Sequence, residues 1–159
     1  MGRDASGVQG MRMRGEDEVI SINIAQDDAD LLVVTENGYG KRTRVADYPR
    51  KGRGGMGVKT IQLTEAKGTL AGARVVRDGY QVMLISTGGT VIRMPVDDIK
   101  RLGRATQGVI VMRLRGDERV SSLAPVVESD DENGSSDVAS EPAEASVEPV
   151  EPDDDDDEE

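Results

Sequence analysis

Between residues 41 and 59 the chain places seven basic side chains, Lys41, Arg42, Arg44, Arg50, Lys51, Arg53 and Lys59, together with four glycines, Gly52, Gly54, Gly55 and Gly57. This combination suits phosphate chemistry. Arg and Lys meet phosphate oxygens, while backbone without side chains lets a polyanion approach and offers it bare N–H groups. With three Tyr and no Trp or Phe, base stacking is poorly served. The expected ligand is therefore a duplex backbone, recognised by charge and curvature rather than by base identity. The competing explanation is that these cations only keep β-edges soluble.

Gly52, Gly54 and Gly57 also spell G-x-G-x-x-G, the pattern of a dinucleotide-binding turn. Its flanks argue against a nucleotide. Such a turn needs a buried apolar strand before it and a helix after it to hold the pyrophosphate. Here Asp47-Tyr48-Pro49-Arg50-Lys51 precedes it, and Val58-Lys59-Thr60-Ile61-Gln62-Leu63 follows with the alternation of a half-buried strand.

The 159 residues include no Cys, His, Trp or Phe. Disulfides, thiol or histidine catalysis and the usual zinc constellations are thereby excluded from the chain. No G-x-x-x-x-G-K-[ST] phosphate loop occurs either. The first 18 residues lack the apolar stretch of a secretory leader, and no run reaches the length of a membrane span. A cytoplasmic location without membrane partners is the expectation.

The net charge of −11 conceals two segments of opposite sign. Of the 31 Asp and Glu, 16 fall between Glu128 and Glu159, where there is no Lys or Arg; the other 15 share residues 1–127 with all 20 basic residues, giving a body of +5 and a tail of −16. Residues 128–159 are highly charged, carry several Pro and lack aromatics, a composition that cannot offset the entropy cost of folding and is expected to be disordered. The run Asp153 to Asp157 has no ligand spacing, so no metal site is expected there.

The elements that must position the basic residues repeat. Gly2-Arg3-Asp4-Ala5-Ser6-Gly7-Val8 recurs as Gly52-Arg53-Gly54-Gly55-Met56-Gly57-Val58 and as Gly103-Arg104-Ala105-Thr106-Gln107-Gly108-Val109, a G-R-x-x-x-G-V pattern at offsets of 50 and 51 residues. Gly2, Gly7, Gly103 and Gly108 are expected to be structural turns with positive φ. Arg3 and Arg104 join the candidate phosphate contacts by repeat equivalence. Residues 31–45 and 82–96 align at the same spacing, each an apolar β-rich run, then Asn37-Gly38 or Gly88-Gly89, then a second run. That is a hairpin signature. β-type repeats of this period mean propeller-like blades. Residues 1–127 hold about two and a half of them, starting near 2, 52 and 103. A blade is expected to run in chain order: the Gly-Arg turn, a strand such as Val58 to Leu63 or Val109 to Leu114, a strand near Ala73 to Val76, then the hairpin. The expected fold is all-β, an incomplete set of propeller-like blades followed by the acidic tail.

The G-R-x-x-x-G-V repeat and the Gly-rich basic stretch resemble the C-terminal domain of the bacterial DNA gyrase A subunit, a β-pinwheel that wraps DNA around its edge. The family's box reads Q-(R/K)-R-G-G-(R/K)-G. In Lys51-Gly52-Arg53-Gly54-Gly55-Met56-Gly57 the residues Arg53, Gly54, Gly55 and Gly57 keep it, whereas Lys51 stands for Gln, and Gly52 and Met56 stand for basic residues. The stretch thus looks like a second, degenerate box in a late blade. The resemblance implies the last blades and acidic end of such a protein, with duplex DNA as partner. It further implies assembly with the B subunit, and with the rest of the A subunit, in an A2B2 enzyme. ATP and Mg2+ would act through the rest of that enzyme, a type IIA topoisomerase that supercoils DNA. It also implies no catalysis here, because the family's strand-cleaving tyrosine follows an arginine in another domain, while Tyr39, Tyr48 and Tyr80 follow Gly38, Asp47 and Gly79. Two alternatives stand beside it: the topoisomerase IV counterpart, with a related pinwheel, and an acidic module that mimics DNA.

Overall fold

A computed structural model describes residues 3–126. The segment read as a disordered tail, residues 128–159, and Gly2 lie outside the described residues.

The described chain forms seven strands: β1 (Asp30–Thr35), β2 (Tyr39–Arg44), β3 (Leu70–Val76), β4 (Gln81–Ser86), β5 (Val91–Pro95), β6 (Val109–Ile110) and β7 (Val120–Val126). They make two antiparallel sheets, ordered β3-β1-β2-β6 and β5-β4-β7. The all-β, propeller-like expectation is met.

The two sheets repeat each other in detail. Hairpin β1-β2 pairs Val33 with Lys41, and hairpin β4-β5 pairs Leu84 with Ile92, at the same 51-residue offset. Each inner strand takes a third strand on its other edge, Val33 opposite Ala73 and Leu84 opposite Leu123. A bulge falls between Val34 and Thr35 in one sheet and between Ile85 and Ser86 in the other. Gly38 and Gly89 carry φ of 83° and 81° at the hairpin turns, a region open to Gly and strained for other residues. A short 3-10 turn follows each hairpin, Val45–Asp47 and Val96–Asp98.

With no Phe or Trp, the core is aliphatic: Leu32 and Val34 of β1, Val76 of β3, Val82 and Leu84 of β4, Leu123 of β7, with Val96, Ile99 and Met112 from connections. The alternation of Leu32 with Val34 and of Val82 with Leu84 places them on one face of each strand. The sheets approach closely where β3 meets β7, since a Cβ on Gly72 would lie 2.5 Å from Leu123 Cδ2.

Blade composition differs from the expectation of consecutive strands. The strand near Ala73 to Val76, which runs from Leu70, does not join the hairpin that follows it but the preceding one, through β1. β6, from the third G-R-x-x-x-G-V, closes the same first hairpin by pairing Tyr39 with Ile110 and Gly40 with Val109. Each sheet is therefore built by exchange between repeats. The expected strand Val109 to Leu114 shortens to Val109–Ile110, because the N–H groups of Val111 and Met112 both donate to Gly38 O, at 2.9 and 3.1 Å, and the chain turns inward to bury Met112. The expected strand Val58 to Leu63 is irregular. Its equivalent Val109–Ile110 is a strand only by pairing with a hairpin two repeats earlier, and no such hairpin faces Val58 among the described residues.

Candidate nucleic-acid interface

The basic cluster read from the sequence divides into two groups. Lys41 is fully buried, and its Nζ donates to Gly103 O at 2.5 Å, Arg104 O at 2.7 Å and Thr106 Oγ1 at 3.0 Å. Burial pushes its pKa below the ordinary lysine value, because desolvation disfavours the charged form. Arg42 is buried too. Its Nε donates to Ile99 O at 2.8 Å, and Nη1 bonds Asp30 Oδ2 at 3.2 Å and Asp78. Both are corrections to the candidate contact set. Centred in β2, with β1 on one side and residues 99–106 on the other, they face the protein and spend their donors on it.

Arg42 belongs to an ionic cluster that joins the two repeats. Arg101 Nε donates to Asp30 Oδ2 at 2.9 Å and Arg101 Nη2 to Asp78 Oδ1 at 3.0 Å, while Arg42 Nη1 lies 3.6 Å from Asp97 Oδ1. Hydrogen bonds from Arg42, then Arg101, hold the Asp78 carboxyl down to about 2. Asp30 and Asp78 in turn push the Arg101 guanidinium above its usual value.

The remaining candidates point outward. Arg3, Arg44, Arg50, Lys51, Arg53 and Lys59 are exposed. Arg50 makes a surface pair with Asp27 at 3.2 Å, of the kind that contributes little. Arg104 is half-buried, its guanidinium 5.9 Å from the Tyr48 ring centre, and the Tyr48 hydroxyl lies 2.5 Å from Thr60 Oγ1.

The box-like stretch Lys51 to Gly57 turns at Arg53-Gly54, with φ of 71° at Gly54 and 74° at Gly57. No helix follows Gly57, so the G-x-G-x-x-G has no helix N-terminus to hold a pyrophosphate. The second glycine of all three repeats has positive φ, 83° at Gly7, 74° at Gly57 and 75° at Gly108, whereas Gly103 does not. The turn expectation thus holds at Gly7 and Gly108. Gly108 is also sterically fixed, since a Cβ there would lie 2.9 Å from Gly40 O.

The structure adds two cations to those the sequence singles out. Gly54 N donates to Gly10 O at 2.9 Å, Arg12 N donates to Gly55 O at 2.8 Å, and Met11 bridges Gly55 in parallel. Residues 10–14 are thereby zipped onto the Gly-rich turn, which brings exposed Arg12 and Arg14 to the box-like stretch at Gly55 and Met56; Arg14 Nη2 reaches Met56 Sδ at 3.3 Å. The signal was present in the alternation Met11-Arg12-Met13-Arg14, but the strand partner lies more than 40 residues away. No group of His, Cys, Asp or Glu among the described residues could hold a metal, and no helix there is long and apolar enough to cross a membrane.

The DNA gyrase A subunit of Klebsiella oxytoca is 45% identical over 132 residues, covering 83% of this chain and 15% of that protein. The chain thus spans only a small part of the length of such relatives. In fold it is similar to the solved DNA gyrase A C-terminal domain, with TM-score 0.71, 24% identity, and coverage of 76% of this chain and 41% of that one. It is also similar to the C-terminal domain of DNA topoisomerase IV, with TM-score 0.70, 24% identity, and coverage of 76% and 38%. The family described as "DNA gyrase C-terminal domain, beta-propeller" matches residues 1–26, 29–77 and 80–126, and to that family the chain belongs.

Proposed function

We propose that this chain binds duplex DNA without sequence preference and contributes to wrapping it, as the C-terminal part of a gyrase A subunit. The observation that carries the reading is the exposed, Gly-rich basic turn Lys51 to Gly57, joined through backbone hydrogen bonds to the basic segment Gly10 to Arg14. Lys51, Arg53, Arg12, Arg14, Arg3, Arg44, Arg50, Lys59 and Arg104 are the proposed contacts. In this reading the chain works with the B subunit, and with the remainder of the A subunit, in an A2B2 enzyme in the cytoplasm and on the chromosome. ATP and Mg2+ act elsewhere in that enzyme. The sequence relatives at 45% identity favour gyrase over topoisomerase IV, for which the support is likeness of fold.

Titrating the full chain with two duplexes of unrelated sequence and with a single strand of equal length tests this. Equal affinity for the duplexes and weaker binding of the single strand is the expected outcome, given the scarcity of aromatics for stacking. A strong preference for one duplex, or no binding at low salt, overturns it.

A further inference from the structure

Lys41 is the largest of the fully buried side chains, opposite Val33 on the face of its sheet turned away from Leu32, Val34 and the aliphatic core. At the equivalent register of the second hairpin the chain places Ile92, which packs against that core. An apolar residue thus suffices where no outer strand follows among the described residues. Where the outer strand is present, the chain buries a lysine instead, and does so despite the desolvation this imposes.

The three partners of that lysine explain the choice. Gly103 O, Arg104 O and Thr106 Oγ1 all belong to the third Gly-Arg turn, and together they use the three donors of the ammonium group. Thr106 Oγ1 donates onward to Gly103 O at 2.8 Å, closing the turn on itself. The acceptors bracket Arg104, whose own carbonyl is one of them. Its guanidinium is guided on the other side by the Tyr48 ring. The backbone is gripped from within, and the side chain is aimed from without.

We propose that Lys41 is a positioning residue: it fixes the Gly103 to Gly108 turn so that Arg104 meets a DNA phosphate. This rests on the duplex-binding reading above. Lys41 itself is too deeply buried to touch the nucleic acid, and its effect passes through Arg104. Preorganising a cation in this way spares the ordering cost of a mobile side chain on binding.

The test measures duplex affinity against salt for the full chain and for Lys41→Met, Arg104→Ala and the double variant. Arg104→Ala is expected to lower the slope of log K on log salt by about one, as for one lost phosphate contact. Lys41→Met is expected to lower it by the same amount, and the double variant by about one rather than two. An unchanged slope in Lys41→Met beside a lowered slope in Arg104→Ala makes Lys41 purely structural and overturns the proposal. Additive losses overturn it as well, since Lys41 would then act independently of Arg104. An unchanged slope in Arg104→Ala instead removes Arg104 from the duplex-binding reading, a failure distinct from that of the link to Lys41. Should Lys41→Met not fold, Thr106→Val loosens the same turn. It is expected to weaken duplex binding in the native background and to have no effect in the Arg104→Ala background; equal effects in both backgrounds overturn the proposal.

Discussion

Asp78 shows how one side chain can tie two repeats together while remaining 63% exposed. Its pKa lies at about 2, below the ordinary 3.8, owing to Arg42 first and Arg101 second. A depressed carboxyl pKa contributes stability that is fully present above the unfolded value and is lost as pH falls through the folded one. The window for this group is therefore from about pH 4 down to about pH 2. Denaturant unfolding across that range is expected to show a shallower loss of stability in Asp78→Asn than in the parent chain; identical profiles would dissociate the cluster from stability. The glycines of the two hairpin turns offer a sharper contrast. Gly38 and Gly89 share nearly the same φ, but a Cβ at Gly38 would meet Met112 O at 2.1 Å, whereas Gly89 has nothing within 4 Å. Gly89→Ala is expected to cost about 1 kcal/mol of backbone strain. Gly38→Ala adds a clash with fixed backbone and should cost about 3 kcal/mol or more. Equal melting temperatures for the two variants would contradict this account.

At the scale of elements, exchange of strands between repeats decides which surfaces stay open. Val19 to Ala25 holds the place in its repeat that β3 and β7 hold in theirs. It forms no ladder, and meets β3 through side chains, with Ser21 Oγ donating to Ala73 O at 2.8 Å and Val75 N to Asn23 Oδ1 at 3.3 Å. Ile22 and Ile24 are left 93% and 84% exposed. β5 in turn is an edge strand of its sheet among the described residues. Apolar alternation beside an open edge favours association, so the chain is expected to self-associate in sedimentation. Ile22→Lys with Ile24→Lys is expected to shift it toward monomer while changing stability by about 0.5 kcal/mol or less. A compact monomer before substitution would contradict the open-edge reading. The hairpins were legible because Asn37-Gly38 and Gly88-Gly89 have a local cause, the positive φ of the turn. Partner choice was not. Alternation reports which face of a strand is buried, and β3 reads the same whether it joins β4, five residues ahead in the chain, or β1, its actual neighbour. Lys41 and Arg42 depart from expectation for the same reason: their residue types indicate surface, while Gly103 O, which accepts from Lys41, and Ile99 O, which accepts from Arg42, lie 62 and 57 residues away in later repeats.

Over the whole molecule, a body of +5 carries a segment of −16. Tethered carboxylates act at high effective concentration and oppose the approach of phosphates. Removing residues 128–159 is therefore expected to tighten duplex binding at low salt, with the gain shrinking as the Debye length falls to about 8 Å near 0.15 M. No gain on removal would make the acidic segment a solubility device only. The expected arrangement has DNA on the exposed turn from Arg50 to Gly57, with the neighbouring Lys41 and Arg42 buried and out of its direct reach. Its most direct test is the salt dependence of duplex affinity for the full chain with Arg50, Lys51 and Arg53 all changed to Ala. All three side chains are exposed, so the fold is expected to survive. The slope of log K on log salt should fall by roughly 2 to 3, at about one per phosphate contact. An unchanged slope in a folded variant would contradict the claim and return the cluster to solubility.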